Sequence, residues 1–412
     1  MVKISRYVLV LIGIIVTAIA IPEIYWTIFR EVPSAPNVVY SRILDDFMMV
    51  QREDGVLIRK DASGNVYTRD EFEERLPMLF FRQLYASGDM PDTIKGVEMD
   101  HATLSQYSSN FTFRPAELNT PQPPLWPLLE AESGRVTLYL PEDFFRLDEQ
   151  IEFIVAETNE VDRKKSKKFN DALIKEGFRF PARLIGGLPT AKKNKEEGYF
   201  IKDDAGDLFH LMQKKDKPYV ARIDIPDEIN IIHIKCVDKV TGEYYAFLFT
   251  DNDEVFLLMQ DGYHLQKLPV DNYDRHIHRL RVREDLLNKT IAVIGDDHLD
   301  VVVVNYDYEV VNRYEDHWDP PHTRSDHKRF SWLFPFQLSL QIPESNYVTM
   351  DLFWGSHYMW LLTHVALTGL AIWLLRRKKR PLKDNAIDLL LILVTGIYGF
   401  VSTRIFPNKF YK

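Results

Sequence analysis

Arg376-Arg377-Lys378-Lys379-Arg380 separates two apolar runs, Tyr358–Leu375 and Ala386–Val401, and this arrangement constrains the rest of the chain. Each run reads as a membrane-spanning helix. A loop as basic as residues 376–385 stays on the cytoplasmic side, because insertion retains Lys and Arg inside. Fixing that loop assigns every other segment a side. The N-terminus is expected inside, the large middle segment outside and the C-terminal tail outside. The expected location is the inner (plasma) membrane, with the bulk of the chain periplasmic.

Residues 1–30 begin with Lys3 and Arg6 and run apolar from Tyr7 to Ile21. Two readings fit them. One is a cleaved signal peptide with Ala18-Ile19-Ala20 at the cleavage site. The other is an uncleaved anchor whose Tyr25 and Trp26 form an interfacial aromatic belt. The anchor is favoured, and both readings place residue 31 onward outside. The resulting division is an anchor at 1–30, an extracytoplasmic body at 31–355, a helical hairpin at 356–403 and a tail at 404–412.

The net charge is −9, and residues 1–6 and 376–383 carry Lys and Arg with no acid among them, so the body is more acidic than the whole. That argues against a nucleic-acid partner. The only cysteine is Cys236, so no intrachain disulfide forms and the body must fold on hydrophobic burial.

The body carries an internal repeat. Copies start at Gly198, Glu243 and Lys289, each an apolar strand, a turn rich in Asp, Asn or Gly, and a second apolar strand. Third strands are expected at Tyr219–Asp224, Tyr263–Leu268 and Tyr308–Tyr314. A period in the mid-forties with three or four strands per unit predicts an all-β, propeller-like body. Phe47–Val50 with Val56–Lys60, and Arg135–Leu140 with Gln150–Val155, read as weaker copies. Phe330–Gln341 and Tyr347–Phe353 are expected to close the ring. Helical insertions are predicted at Asp70–Ser87, with Pro77 disfavouring its first turn, and at Lys164–Glu176. The lysines of the latter read as a solvated face, with docking of an acidic partner as the alternative.

The order of parts resembles an uncharacterised family of membrane-anchored proteins from gut Bacteroidales, of the domain-of-unknown-function type. The residues behind this are Tyr67-Thr-Arg-Asp-Glu-Phe72, Met90-Pro-Asp-Thr-Ile-Lys-Gly96, Phe180-Pro-Ala182 with Gly187-Leu-Pro-Thr190, and Gly198-Tyr-Phe200 with Leu208-Phe-His210. The resemblance implies an accessory of a membrane transport system, and it implies no functional residues.

No catalytic motif stands out. The chain has no phosphate-binding Gly-rich loop, no Gly-x-Ser-x-Gly, no His-Glu-x-x-His and no Cys-x-x-Cys. The segment from Asp61 to Asn65 reads as a hairpin turn rather than a calcium loop. His317, His322 and His327, flanked by Asp316, Asp319 and Asp326, are candidate ligands of a divalent metal, although Pro320-Pro321 makes a solvated loop the simpler reading. His276 and His278 are expected on a surface strand. His364, inside an apolar run with His357 at its edge, is a candidate haem ligand or interhelical contact. The expected function is a non-enzymatic accessory or sensor subunit, partnered by other integral membrane proteins such as transporter subunits and holding no cofactor. The alternative is a membrane-bound metal- or haem-dependent enzyme.

Overall fold

The computed structural model describes residues 2–30, 35–53, 56–120, 124–135, 137–340, 350–355 and 358–408. His357 lies outside them, as do the last four residues of the tail. The chain opens with α1 (Val2–Phe29). Among the described residues this is the one helix long and apolar enough to cross a membrane, or to act as a signal sequence.

Mostly antiparallel sheets follow. β1 (Asn37–Ser41), β2 (Asp46–Glu53) and β3 (Val56–Asp61) form a meander. The predicted helix at 70–87 is two helices, α2 (Arg69–Glu74) and α3 (Pro77–Ser87), because Pro77 cannot donate its nitrogen to a continuing helix. Thr68 and Glu71 cap α2 reciprocally. A minimal hairpin, β4 (Thr93–Ile94) and β5 (Val97–Glu98), precedes α4 (His101–Tyr107), β6 (Ser109–Phe113) and α5 (Pro115–Asn119). β7 (Asp143–Leu147) pairs with β8 (Ile151–Val155), and α6 (Arg163–Lys175) covers them. Arg135–Leu140 contains no strand among its described residues, so the partner of β8 comes from β7 instead. Two of the α6 lysines are paired, Lys165 with Asp143 and Lys167 with Asp171.

The repeat then appears as three four-stranded meanders. The first is β9 (Leu184–Gly187), β10 (Tyr199–Lys202), β11 (Leu208–Lys214) and β12 (Lys217–Ile223). The second is β13 (Ile231–Cys236), β14 (Tyr244–Thr250), β15 (Val255–Met259) and β16 (Leu265–Lys267). The third is β17 (Arg279–Glu284), β18 (Lys289–Ile294), β19 (His298–Val304) and β20 (Val310–His317), widened by β6 on the β17 edge. The Asp-rich turns do the expected work. Asp203 Oδ1 accepts from the nitrogens of Ala205 and Asp207, both at 2.9 Å, and Asp253 takes a φ of 59°.

The sheets are buried face to face. Phe200 and Leu208 meet Ile234 and Leu248 between the first and second meanders. Phe247 and Leu257 meet Leu280 and Val302 between the second and third. On β19, Val302 and Val304 face the second meander while Leu299, Val301 and Val303 face Val38, Phe47 and Met49. Burial on both faces explains why Val301–Val304 is a continuous apolar run rather than an alternating one. Aromatics of β7, β8 and α6 cover the far side of the first meander. No core cluster among the described residues joins β7–β8 to β1–β3, and nothing there closes a ring.

The expected closing strands go elsewhere. β21 (Phe336–Ser339) and β22 (Asp351–Trp354) pair with each other, and β21 with α7 (Ser325–Leu333) packs on the C-terminal end of α1. His276 and His278 lie in the turn before β17, not on a strand.

The C-terminal helices differ most from expectation. α8 (Trp360–Arg377) is a single helix of 18 residues, about 27 Å long. Ala386–Val401 is not one helix. It forms α9 (Ala386–Thr395) and the start of α10 (Ile397–Ile405), divided at Gly396, whose φ of 58° and ψ of −125° suit only glycine. The chain reverses there. Asp388 on α9 and the carbonyl of Phe406 after α10 both receive hydrogen bonds from Arg6, which a continuous helix would hold about 27 Å apart. Arg380 Nη1 also donates to the Asn408 carbonyl, and Asn408 Nδ2 to that of Asp384. The tail therefore returns to the end where the basic loop sits, correcting the expectation that it emerges on the opposite side.

Candidate functional site

Two places gather functional chemistry, the helical end and one corner of the third meander. At the helical end, α1 runs antiparallel to α10. Gly13 permits close approach, since a Cβ there would stand 3.1 Å from Ser402 Oγ. Arg6 Nη1 and Nη2 donate to both Asp388 oxygens, at 2.9 and 2.7 Å, and Arg6 Nε donates to the Phe406 carbonyl. The pair is buried, with Arg6 6% and Asp388 7% exposed. At the other end Tyr25 Oη donates to the Asp326 carbonyl, and Trp26 Nε1 to Gln337 Oε1.

His364 faces the break between α9 and α10. Its Nδ1 lies 2.8 Å from the Leu393 carbonyl, which the break deprives of its helical partner Ile397. A carbonyl can only accept, so Nδ1 carries the proton. Nε2 then abuts Gly396, where a Cβ would come within 2.2 Å. That backbone closes the approach to Nε2 and leaves no space for a macrocycle. His364 satisfies irregular backbone inside a helical assembly, as buried non-helical chain requires.

On the third meander the structure separates the three predicted histidines. His322 sits in a 3-10 turn at Pro321–Thr323, and His327 is in α7 with its ring 4.7 Å from that of Trp26. His317 ends β20, and register brings it to other partners. Asp300 on β19 pairs with Glu315, and His298 pairs with His317. Alternation along a strand puts all four on one face. Donor atoms of Asp300, Glu315 and His317 lie within 4.8 Å of one another. His298 Nδ1 stands 2.8 Å from Asp297, and its Nε2 is buried with no hydrogen-bond partner among the described residues, as is Asp300 Oδ1. His278 meets the His298 ring edge-on at 4.7 Å. Linear spacing misses this cluster because its members come from two strands.

Sequence reasoning also missed a buried ionic network between the second and third meanders. Glu284, 1% exposed, receives Lys239 Nζ, Tyr244 Oη at 2.8 Å and Lys289 Nζ at 3.3 Å. Glu243 receives Lys289 Nζ at 2.8 Å and Tyr308 Oη at 2.6 Å. Two cations and two anions balance there.

Two other buried groups make the body sensitive to acid. Burial pushes His210 and His233 down to about 4. Between the unfolded value near 6.5 and that folded value, the unfolded chain takes protons the native body refuses. Stability is therefore expected to fall as pH drops through this window, by up to ~2.7 kcal/mol per pH unit for two groups. Denaturant unfolding at stepped pH reads the slope, and His233→Phe should roughly halve the histidine share. An unaltered slope in that variant would remove His233 from the account.

The chain matches no curated protein. Among solved structures it is similar to prolyl oligopeptidase B from Galerina marginata bound to a 35mer hydrolysis and macrocyclization substrate, in two variant forms. One gives 12% identity, covering 69% of this chain and 34% of that one, with a TM-score of 0.22. The other gives 13% identity, covering 69% and 35%, with the same TM-score of 0.22. The chain thus spans about a third of the length of that protein. The family model of a domain of unknown function matches residues 37–304, the whole run from β1 to the end of β19, and the chain belongs to that family, DUF4857.

Proposed function

We propose that this protein is a membrane-integral accessory or sensor subunit of a membrane complex, one that works beside a transporter. In this reading α1 is a retained anchor, α8, which Arg376 and Arg377 in its last turn make less apolar than α1, crosses only in company with it, and α9–α10 is a re-entrant hairpin entering from the cytoplasmic face. The propeller-like body lies outside and presents the recognition surface. The observation that carries the reading is the pairing of a buried Arg6–Asp388 contact inside the helical end with an apolar belt around it. Val8, Leu11, Leu362, Val365, Leu390 and Val394 are all exposed. Such a surface needs lipid or a partner helix to cover it. A tether alone requires one helix, so two further segments point to contact with other integral membrane proteins. Basic residues 376–380 assign the inner side.

A mild-detergent pull-down from native membranes tests this. Stoichiometric recovery of a transporter permease or ATPase is the expected result. Recovery of the intact protein alone would overturn the accessory reading.

The cluster on β19 and β20 favours a second reading, a divalent metal held by Asp300, Glu315 and His317 with His298 beside them. Mixed imidazole and carboxylate donors suit a first-row ion such as Zn²⁺. Asp297 beside His298 Nδ1 resembles the outer carboxylate that commonly orients a ligating histidine. Equilibrium dialysis against Zn²⁺ should return one ion per chain in this reading. Glu315→Ala with His317→Ala should abolish that binding. Equal uptake by the double variant would dismiss the site.

A further inference from the structure

We infer that the inner end of α8, α9 and α10 forms a binding site for the phosphate of an anionic membrane phospholipid. The inference rests on the membrane-embedded reading above. A cavity of about 260 Å³ lies between these three helices. Lys378, Arg380 and Arg404 line it together with the apolar Ala371, Leu389 and Ile392. One acid, Asp388, also reaches the cavity, but both its oxygens are taken by Arg6. The local balance therefore remains cationic by three.

Those cations have donors to spare. Arg380 uses Nη1 on the Asn408 carbonyl, a neutral acceptor, and keeps its full charge. Lys378 and Arg404 make no ion pair among the described residues, and Arg404 lies over the Phe400 ring at 5.1 Å. The first turn of α9 begins at the same cavity, and its N-cap residue Asn385 makes no side-chain cap bond to it. The positive end of a helix favours an anion. Guanidinium groups match phosphate geometry, often through two parallel bonds.

The apolar wall separates a lipid from a free anion. Beside the cations the lining includes Ala371, Leu375, Leu389 and Ile392, side chains that a soluble phosphate cannot use. The outward faces of Leu390, Leu393 and Val394 continue the apolar surface along α9. A headgroup held at the cations would lay its acyl chains along this face. Basic pockets between helices at the cytoplasmic side recognise anionic headgroups in this way.

The test uses the full-length protein, reconstituted into phosphatidylcholine vesicles with or without phosphatidylglycerol and re-extracted in mild detergent. Native mass spectrometry then counts retained lipid. Wild-type protein should keep one phosphatidylglycerol in preference to phosphatidylcholine. Arg380→Gln with Arg404→Gln should lower that retention roughly tenfold to thirtyfold, the scale expected for two cations at an anionic surface. Lys378→Gln with Arg404→Gln, which leaves the Arg380–Asn408 bond in place, should do the same if the first variant fails to fold. Arg376→Gln with Arg377→Gln alters loop charge outside the cavity and should leave retention unchanged. Equal loss in that control, or no preference for phosphatidylglycerol in the wild type, overturns the site. Displacement of the lipid by inorganic phosphate at matched concentration overturns the lipid as its source. Recovery of the protein in the soluble fraction without detergent defeats the embedded reading itself, which is a different result from an embedded protein that retains no lipid.

Discussion

Replacing Glu284 with glutamine is expected to cost the outer body about 3–5 kcal/mol, enough to remove much of the stability of an ordinary domain. The carboxylate sits between Lys239 and Lys289, which are 8% and 0% exposed. Without it, two buried ammonium groups share the single charge of Glu243, and the Tyr244 hydroxyl loses a charged acceptor. Glutamine keeps the volume, so the loss reads charge rather than packing. Lys239 and Glu243 belong to the β13–β14 connection, while Glu284 and Lys289 flank the β17–β18 turn. The weakened element is thus the seam between two meanders. Denaturant titration checks the size of the effect. A loss below about 1 kcal/mol would show that the lysines deprotonate or find water. Glu284→Leu combined with Lys289→Met should cost less than either single change, because removing both members of a pair leaves fewer orphaned charges.

The second large effect is expected at Asp388. Asp388→Asn leaves Arg6 buried beside a neutral amide and should destabilise the helical end by about 3 kcal/mol. The two single changes, Arg6→Met and Asp388→Leu, should each cost more than the double variant. Thermal unfolding in detergent, followed by protease sensitivity of the 376–385 loop, reads the cycle. Simple additivity would mean that Arg6 holds α10 through the Phe406 carbonyl alone. A cleaved-signal reading of residues 1–30 predicts no effect of Arg6 on the mature protein, so the same variants separate the two readings of α1.

Much of the body was legible because its signals are local. The three repeat copies became β10–β11, β14–β15 and β18–β19, since a strand, an Asp-rich turn and a strand declare themselves within about fifteen residues. Gly177, with a φ of 92°, ended α6 as a helix-stop glycine should. What failed depends on distant partners. Hydropathy sees Ala386–Val401 as one apolar run and cannot see that Gly396 adopts a conformation closed to other residues. The histidines were grouped by spacing along the chain, whereas β19–β20 register grouped His317 with Asp300 and Glu315. His364 is costly to bury, as its place in an apolar run implies, and of its two candidate roles the structure shows the interhelical contact, made to the carbonyl that a broken helix exposes. The network around Glu284 and Lys289 leaves no local signal, because nothing in a linear sequence places Lys239 opposite them.

The Arg6–Asp388 contact joins residues 382 positions apart, and this imposes an order on biogenesis. At roughly 5–20 residues per second, a ribosome that has delivered Arg6 needs on the order of 20–80 s to deliver its partner. In the membrane-embedded reading proposed above, α1 waits in the bilayer throughout that interval with an uncompensated guanidinium. In that reading Arg6, in the first turns of α1, reaches the membrane surface and stays hydrated while it waits. Every strand of the body leaves the ribosome within the same interval. The body can therefore fold before the helical end exists, and closure of α9–α10 onto α1 becomes the last event of assembly. An unfinished nascent chain carries Arg6 without its carboxylate, and a finished one buries the pair.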